Sequence, residues 1–254
     1  MDSILHLDSN KTWFNAEKRR VSIREYESDP SEEKYEALCA LADKLSVEGE
    51  MRIVLSKSTQ ALFDGVLGKK FGKVNVTAAF INSDGSPLEN VGYRGEAFVL
   101  ECTALGLGTC WVAGTYNHAS GRRIFDVKKG EKLASVTPIG VPKGGELPLD
   151  TEVMRKRKSI EKYTGLSVKE IEGLEEWKRV GLLSAQSAPS AVNMQPVSYT
   201  VGKDFIEIQP SGVSFLPRAL DMGIAMLHLE LGIVSSGQRG AWKRSGKGYK
   251  FVVE

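Results

Sequence analysis

The ten residues Ser187–Pro196 form a polar loop that contains two prolines and joins a helical pattern to a strand pattern. The helix before the loop repeats apolar residues at helical spacing, and Tyr199–Ile208 after it reads as a hairpin. Within the loop, Pro189 fixes the backbone angle, while Ser190 and Asn193 offer short polar groups. This order of residues favours a shaped binding loop. The alternative is a helix terminus whose polar residues only cap the helix.

Arg20, Ser22 and Arg24 alternate along a stretch that is predicted to be extended. Alternation in an extended chain places all three side chains on one side of the backbone. Two guanidinium groups and a hydroxyl can form a phosphate clamp, because guanidinium pairs bidentately with phosphate. A solvated basic edge strand is the alternative, and these three residues taken alone favour it.

A glycine-rich segment, Ala104–Gly114, follows a mostly apolar helix that is predicted over Glu96–Leu105. Close helix packing is the simplest reason for its glycines, and Cys110 reads as a small buried hydrophobic residue.

A second basic segment is Arg155–Glu161. One interpretation is that the chain returns here to a phosphate, and a second is that the segment is a degenerate copy of the first basic stretch. A solvated run of charged residues and a weak RNA-facing patch are the other two interpretations. In the second case Glu161 would stand where the first copy has Arg24, and a carboxylate there would repel a phosphate.

Helical patterns alternate with short strand patterns along the chain, which predicts a mixed α+β fold. The glycine- and proline-containing stretch Gly144–Asp150 is the expected boundary between two halves, residues 1–150 and 151–254. Each half contains a long apolar helix that leads to a glycine-rich segment, Glu96–Gly108 in the first and Ala219–Gly237 in the second. A faint internal repeat is therefore one interpretation, and two generic helices are the other.

Composition excludes several classes of protein. A net charge of +2 in 254 residues gives no global field for nucleic acid, and no apolar run is long enough to span a bilayer. The start of the sequence does not read as a secretory signal, and three cysteines without metal-ligand spacing favour a reducing cytoplasm. Dispersed histidines and the lack of a Gly-x-Ser-x-Gly elbow give hydrolase or metal chemistry little support.

Taken together, these segments resemble the flavin-binding motifs of the nitroreductase family, the FMN-dependent oxidoreductases, over most of residues 10–240. In that family the motif that corresponds to Arg20–Arg24 and the motif that corresponds to Ser187–Pro196 lie within a few dozen residues of each other. The flavin site forms between two subunits. Here more than 150 residues separate the two motifs. The chain looks most similar to the subgroup in which one chain imitates the family's dimer. The resemblance implies mixed central sheets flanked by helices, one FMN site per chain, and a monomeric pseudo-dimer, with a further homodimer still open.

The resemblance also implies which residues contact FMN. The expected set comes from four segments and comprises Arg20, Ser22, Arg24, Cys110, Trp111, Val112, Ala113, Gly114, Arg155, Arg157, Ala188, Pro189, Ser190, Asn193 and Gln195. A backbone amide of Ala113 or Gly114 is expected near the flavin N5 atom. Many family members have an acidic residue where Ala113 stands, so this chain lacks the usual carboxylate at that position. No catalytic side chain is required, because the cofactor carries the redox chemistry.

The implied activity passes hydride from NADH or NADPH through flavin N5 to a flat, electron-poor small molecule such as a nitroaromatic or a quinone, in alternating half-reactions. Two other functions are consistent with the motifs. One is an FMN store or sensor without turnover, and the other is a scaffold in which the motifs are relics. No nucleic-acid or membrane partner is expected, and the expected location is the cytoplasm.

Overall fold

The computed structural model describes residues 3–5, 10–64, 71, 75–148, 153, 155–212 and 218–254. The helices are α1 Asn10–Glu17, α2 Glu32–Leu45, α3 Leu88–Ala104, α4 His118–Ile124, α5 Ile160–Thr164, α6 Val168–Glu172, α7 Glu176–Ser187 and α8 Arg218–Ser235. The strands are β1 Tyr26–Ser28, β2 Met51–Ser56, β3 Val76–Ser83, β4 Gly108–Thr109, β5 Glu131–Pro142, β6 Val197–Val201, β7 Phe205–Pro210, β8 Gly240–Ser245 and β9 Gly248–Val253. The predicted mixed α+β class is confirmed.

The strands form two sheets with antiparallel pairing. The first has the order β1-β5-β3-β2, with β4 also paired to β5, and the second has the order β6-β7-β9-β8. The strands of the first sheet lie within residues 26–142 and those of the second within residues 197–253, so the two sheets lie on opposite sides of the predicted boundary. Ser22 adds a parallel bridge to Thr109, which places the predicted extended stretch beside the first sheet.

The two longest helices, α3 and α8, cross with their backbones in contact. A Cβ atom added to Gly92 would lie 2.1 Å from the carbonyl oxygen of Leu220, and one added to Gly223 would lie 2.0 Å from that of Glu89. Both helices are buried along most of their length, and they share one hydrophobic cluster with residues of both sheets. A helix that is covered on all sides belongs to the core. The two glycines therefore set how closely α3 and α8 approach each other.

Three pairs of residues relate the α3 region to the α8 region at a constant separation of 131 positions: Gly92 and Gly223, Gly106 and Gly237, and Trp111 and Trp242. The second pair follows the helix ends with φ values of 77° and 84°, a backbone region that glycine adopts without strain. In the third pair each indole donates to a buried glutamate, Trp111 to Glu96 at 2.7 Å and Trp242 to Glu230 at 2.5 Å. An internal repeat would leave shared features of this kind.

Several element boundaries differ from the predicted ones. Ser31, which precedes two glutamates, is a predicted helix cap, and its hydroxyl caps α2 by accepting from the Lys34 amide. The pattern over residues 10–20 predicts one helix, but α1 ends at Glu17. Helix α3 begins at Leu88, well before the start predicted at Glu96. Pro217, where the sequence predicts the start of a helix, lies outside the described residues. Across the described ranges, no helix combines the length and the apolar character needed to cross a bilayer.

Candidate functional site

Three arginines from distant parts of the chain meet beside the central helices. Arg20 follows α1 and is 3% exposed, whereas Arg155 and Arg157 precede α5 and are half-buried. The pKa of Arg155 is lowered to about 10, first by burial and then by the positive charges of Arg20 and Arg157. Burial, and then the charge of Arg20, also lower the pKa of Arg157. The three guanidinium groups are therefore close enough to repel one another.

Buried N–H groups of this arginine cluster lack a hydrogen-bond acceptor in the part of the chain that the structure describes. They are Nε and Nη1 of Arg20 and the Nε atoms of Arg155 and Arg157. The ion pair between Arg20 Nε and Glu96 Oε1 spans 3.8 Å, too far for a hydrogen bond. A buried donor without a partner costs about 1–3 kcal/mol. An oxyanion placed among these groups would remove that cost and the mutual repulsion.

The predicted phosphate motif (Arg20, Ser22 and Arg24) lies against the segment that follows α3. Ser22 pairs with Thr109, and the thiol of the next residue, Cys110, lies close to the motif. Burial raises the pKa of the Cys110 thiol, whereas Arg24, Ser22 and Arg20 each act to lower it. All three side chains of the motif therefore face the same thiol, as alternation along an extended stretch predicts. Arg24 is exposed.

The loop that follows α7 has a strained backbone. Val192, Asn193 and Gln195 have φ values of 43°, 58° and 52°. This left-handed region is costly for residues with a side chain, and most of all for β-branched valine. The Ser190 hydroxyl helps to hold the loop by accepting from the Gln195 amide at 2.8 Å. Strain that is held by specific hydrogen bonds is typical of functional loops.

The second basic segment fastens this loop to the arginine cluster. Arg157 Nη1 donates to Asn193 Oδ1 at 2.7 Å, and its Nη2 donates to the Ser187 carbonyl at 3.1 Å. The Lys158 amide donates to Gln195 Oε1 at 2.7 Å, and Lys158 Nζ donates to the Gln195 carbonyl at 2.8 Å. The loop and the phosphate motif, far apart in sequence, are therefore joined in the fold through one short segment.

A small cavity of about 10 Å³, room for about one water molecule, lies beneath the loop. Its lining includes Ala188, Pro189, Ser190, Gln195 and Asp221. Asp221 is 5% exposed, and its Oδ1 accepts from the Ala191 amide at 3.0 Å. Its Oδ2 has no partner among the described residues. Burial raises the pKa of Asp221 to about 6, against the opposing effect of the Ala191 hydrogen bond.

We expect Asp221→Asn to stabilise the protein by about 3 kcal/mol near pH 8. The folded state binds the Asp221 proton more tightly than the unfolded chain, where the pKa is 3.8. Stability from this group is therefore present at low pH and is lost as the pH rises between about 4 and 6. Asparagine keeps an acceptor for the Ala191 amide and cannot ionise. Urea unfolding at several pH values measures the difference.

The difference in the free energy of unfolding between Asp221→Asn and the wild type should disappear near pH 4. Asp43→Asn, on the exposed face of α2, is the matched control for the removal of a carboxylate that is in contact with water. A stabilisation that stays constant with pH would contradict the role of the buried charge.

The segment after β4 is anchored at its start and unpaired at its end. The Cys110 amide donates to a threonine hydroxyl of β5 at 3.1 Å, and Val112 exchanges both backbone hydrogen bonds with β5 at 2.9 Å. The amides of Ala113 and Gly114 make no hydrogen bond to any residue that the structure describes. Both predicted backbone donors are therefore without a partner among the described residues.

The sequence matches the model of one protein family over residues 13–233, most of the chain. The family is described as "putative TM nitroreductase". The chain belongs to this family. The resemblance to nitroreductases that the motifs indicate is therefore confirmed.

The chain is also similar to several solved structures. A crystal structure of a "putative nitroreductase" from Thermotoga maritima matches 100% of this chain and 99% of its own, with a TM-score of 0.66 and 19% identity. That match shows a nitroreductase-like fold over the whole chain. A nitroreductase family protein from Clostridium novyi matches 52% of this chain and 86% of its own (TM-score 0.43, 18% identity). An FMN-dependent nitroreductase from Clostridium difficile matches 57% and 91% (TM-score 0.43, 16% identity). A search of curated proteins found no match.

This nitroreductase-family chain also has a buried polar network that the sequence analysis missed. His228, on α8, lies between Glu17 and Glu96, all three being less than 5% exposed. Glu96 also accepts from the indole of Trp111, whose ring stacks on Phe80 at 4.5 Å. The Trp111 side chain is thus part of the core. The available signal was a histidine on an apolar helix, which in isolation indicates an ordinary helix-face residue.

Proposed function

We propose that the chain is an FMN-dependent oxidoreductase that uses NADH or NADPH. The cluster of Arg20, Arg155 and Arg157 carries the proposal, because its unpaired buried N–H groups fit a phosphate group. A phosphate monoester carries close to two negative charges at neutral pH, which suits three mutually repelling cations. FMN supplies the redox chemistry itself when bound, so the protein needs no nucleophile of its own.

The phosphate is assigned to Arg20, Ser22, Arg155 and Arg157, with Arg24 at the exposed end of the motif. Guanidinium groups give charge and paired donors, and they bind phosphate through both. The same segment that supplies Arg157 also holds the loop after α7. Phosphate binding and loop position are therefore linked through one residue.

The flavin ring is assigned to the region between the loop after α7 and the segment after β4. Ala188, Pro189, Ser190, Asn193 and Gln195 are the proposed loop contacts. Cys110, Trp111 and Val112 are the proposed backbone wall, and the unpaired amides of Ala113 and Gly114 are the proposed donors toward N5. The strained, hydrogen-bonded loop offers a rigid surface for a flat ring.

In the proposed reaction, donor and acceptor use one site in turn. NADH or NADPH gives up a hydride and leaves, and a flat, electron-poor molecule such as a nitroaromatic or a quinone then takes up the electrons. The protein's part is to hold the phosphate by charge and the ring by backbone contacts. One face of the ring must remain open to flat molecules.

We propose a pseudo-dimer of two halves, residues 1–150 and 151–254, with one flavin site per chain. The glycine crossing of α3 and α8 would then correspond to the interface of a family dimer within one chain. A monomer can therefore hold a whole site, and a further homodimer is compatible with it. The free thiols of Cys39, Cys102 and Cys110 suit the cytoplasm as the proposed location.

The test is the visible absorbance spectrum of the purified chain, before and after FMN is added and then with NADH or NADPH under anaerobic conditions. We expect a flavin spectrum at about one FMN per chain that bleaches with the nicotinamide donor. Flavin that binds but stays oxidised would favour a store or sensor. No binding with FMN in excess would refute the site.

A further inference from the structure

His228 lies in a buried hydrogen-bonded network that joins α1, α3, α7 and α8. Its Nδ1 is 3.1 Å from Glu17 Oε2, and its Nε2 is 3.0 Å from Glu96 Oε1. The Ser187 hydroxyl lies 2.9 Å from Nδ1, and Ser184 donates to Glu17 at 2.5 Å. Each ring nitrogen therefore faces a carboxylate on a different helix.

This geometry favours a protonated imidazole. A neutral histidine has one N–H group and can donate to one carboxylate, whereas the imidazolium ion donates to both. Burial alone lowers the pKa of His228, but the hydrogen bonds and charges of Glu17 and Glu96 outweigh it and raise the pKa above 6.5. Ser184 and Ser187 of α7 also contact this network, but they are neutral and add no charge to it.

The charges of this network are coupled to those of the arginine cluster, because Glu96 lies beside Arg20. Arg20 Nε is 3.8 Å from Glu96 Oε1, so Glu96 lies between two cations, Arg20 and His228. While His228 is protonated, the cations Arg20 and His228 balance the anions Glu17 and Glu96. Glu96 then bonds to the imidazolium and to the Trp111 indole, and two N–H groups of Arg20 have no partner among the described residues.

We propose that His228 is a positioning residue that keeps Arg20 available to an anion by neutralising Glu96. When His228 loses its proton, Arg20 is the cation closest to Glu96 among the described residues, and it turns to that carboxylate. The affinity of the site for a phosphate monoester then falls. The role rests on the proposed FMN site, but it concerns anion affinity and not turnover.

The test compares the dissociation constants of FMN and riboflavin, which differ by the phosphate group. We expect His228→Gln to weaken FMN binding about tenfold at neutral pH, with riboflavin unchanged. Adding Glu96→Gln in the same chain should restore FMN binding to near the wild-type value, because Arg20 no longer has a competing partner. A loss of FMN binding that the second change does not rescue would overturn the proposal.

Glu101→Gln is the matched control for this rescue. Glu101 is also on α3 and accepts from an indole, that of Trp13, at 2.6 Å. We expect Glu101→Gln to leave the His228→Gln defect as it is. Rescue by both changes would show a general effect of carboxylate removal and would overturn the specific role of Glu96.

The wild type gives an independent readout if the His228 variants do not fold. Its FMN affinity relative to riboflavin should fall as the pH rises from about 7 to about 9, where the phosphate remains a dianion. A constant ratio would overturn the proposal. If neither flavin binds, the proposed function fails, and sulfate, whose charge is constant in this range, replaces FMN as the probe. Sulfate affinity that falls with pH would support the role of His228, and constant or absent binding would overturn it.

Discussion

Arg155→Met is expected to weaken FMN binding about 100-fold and to leave riboflavin binding unchanged. Arg155 contributes a positive charge and an unpaired Nε donor to the arginine cluster, and its Nη2 is already bonded to the Glu17 carbonyl at 2.5 Å. Methionine fills a similar volume without charge or donors. Fluorescence titration with the two flavins measures the ratio of their dissociation constants.

The same variant should make the flavin-free protein more stable by about 1 kcal/mol, a value reduced for partial solvent exposure. The lowered pKa of Arg155 shows that the folded chain disfavours its charge. A residue that is costly without the ligand and needed with it is the expected signature of a binding site. Lys156→Met is the matched control, since Lys156 is the exposed neighbour, and it should change neither quantity. Equal losses for FMN and riboflavin would contradict a role at the phosphate.

Gly92→Ala is expected to destabilise the protein by at least about 3 kcal/mol. The new Cβ atom would lie 2.1 Å from the Leu220 carbonyl oxygen and 2.9 Å from the Ile224 amide nitrogen. Both are backbone atoms of α8, so no side chain can rotate away, and the helices must separate. Chemical denaturation, with the soluble yield as a second measure, tests the change.

Gly173→Ala is the control for the crossing. A Cβ atom there would meet its nearest neighbour at 3.5 Å, an ordinary contact, so the change should be neutral or slightly stabilising. If Gly92→Ala proves as mild as this control, the close approach of α3 and α8 does not determine stability.

Local signals predicted those parts of the fold that depend on neighbours in sequence. The cap at Ser31 and the turn between β6 and β7 need only adjacent polar or glycine residues, and both are present. The start of α3 was missed because Gly92 and Gly95 interrupt its apolar pattern. Those glycines are explained by contacts with α8 and with Trp111, which the sequence does not display. The burial of β3 also depends on residues that are distant in sequence. Strand β3 is buried on both faces, because a second hydrophobic cluster covers the face away from α3.

The candidate site also has residues that the sequence predicts and an arrangement that only the folded chain shows. Arg20, Arg155 and Arg157 could be predicted because a phosphate requires guanidinium groups wherever they lie in the chain. Where they meet, and which N–H groups stay unpaired, depends on the tertiary fold. Asp221 and His228 gave little signal in sequence, since both lie on the mostly apolar helix α8, where a polar residue indicates an ordinary helix-face position. Their surroundings come from other helices, and only the folded chain shows them.

The contact between Glu17 and His228 joins residues that are 211 positions apart. During synthesis the chain emerges from its N-terminus, so Glu17, Arg20 and Glu96 leave the ribosome long before α8 does. Until α8 arrives, these charged groups have no imidazolium partner and the loop after α7 has no Asp221 beneath it. Helix α8, which is synthesised late, supplies both His228 to the two glutamates and Asp221 to the loop. This region can therefore assemble only after α8 has been synthesised, and a nascent chain stalled before α8 would lack both the Glu17–His228 contact and Asp221 beneath the loop.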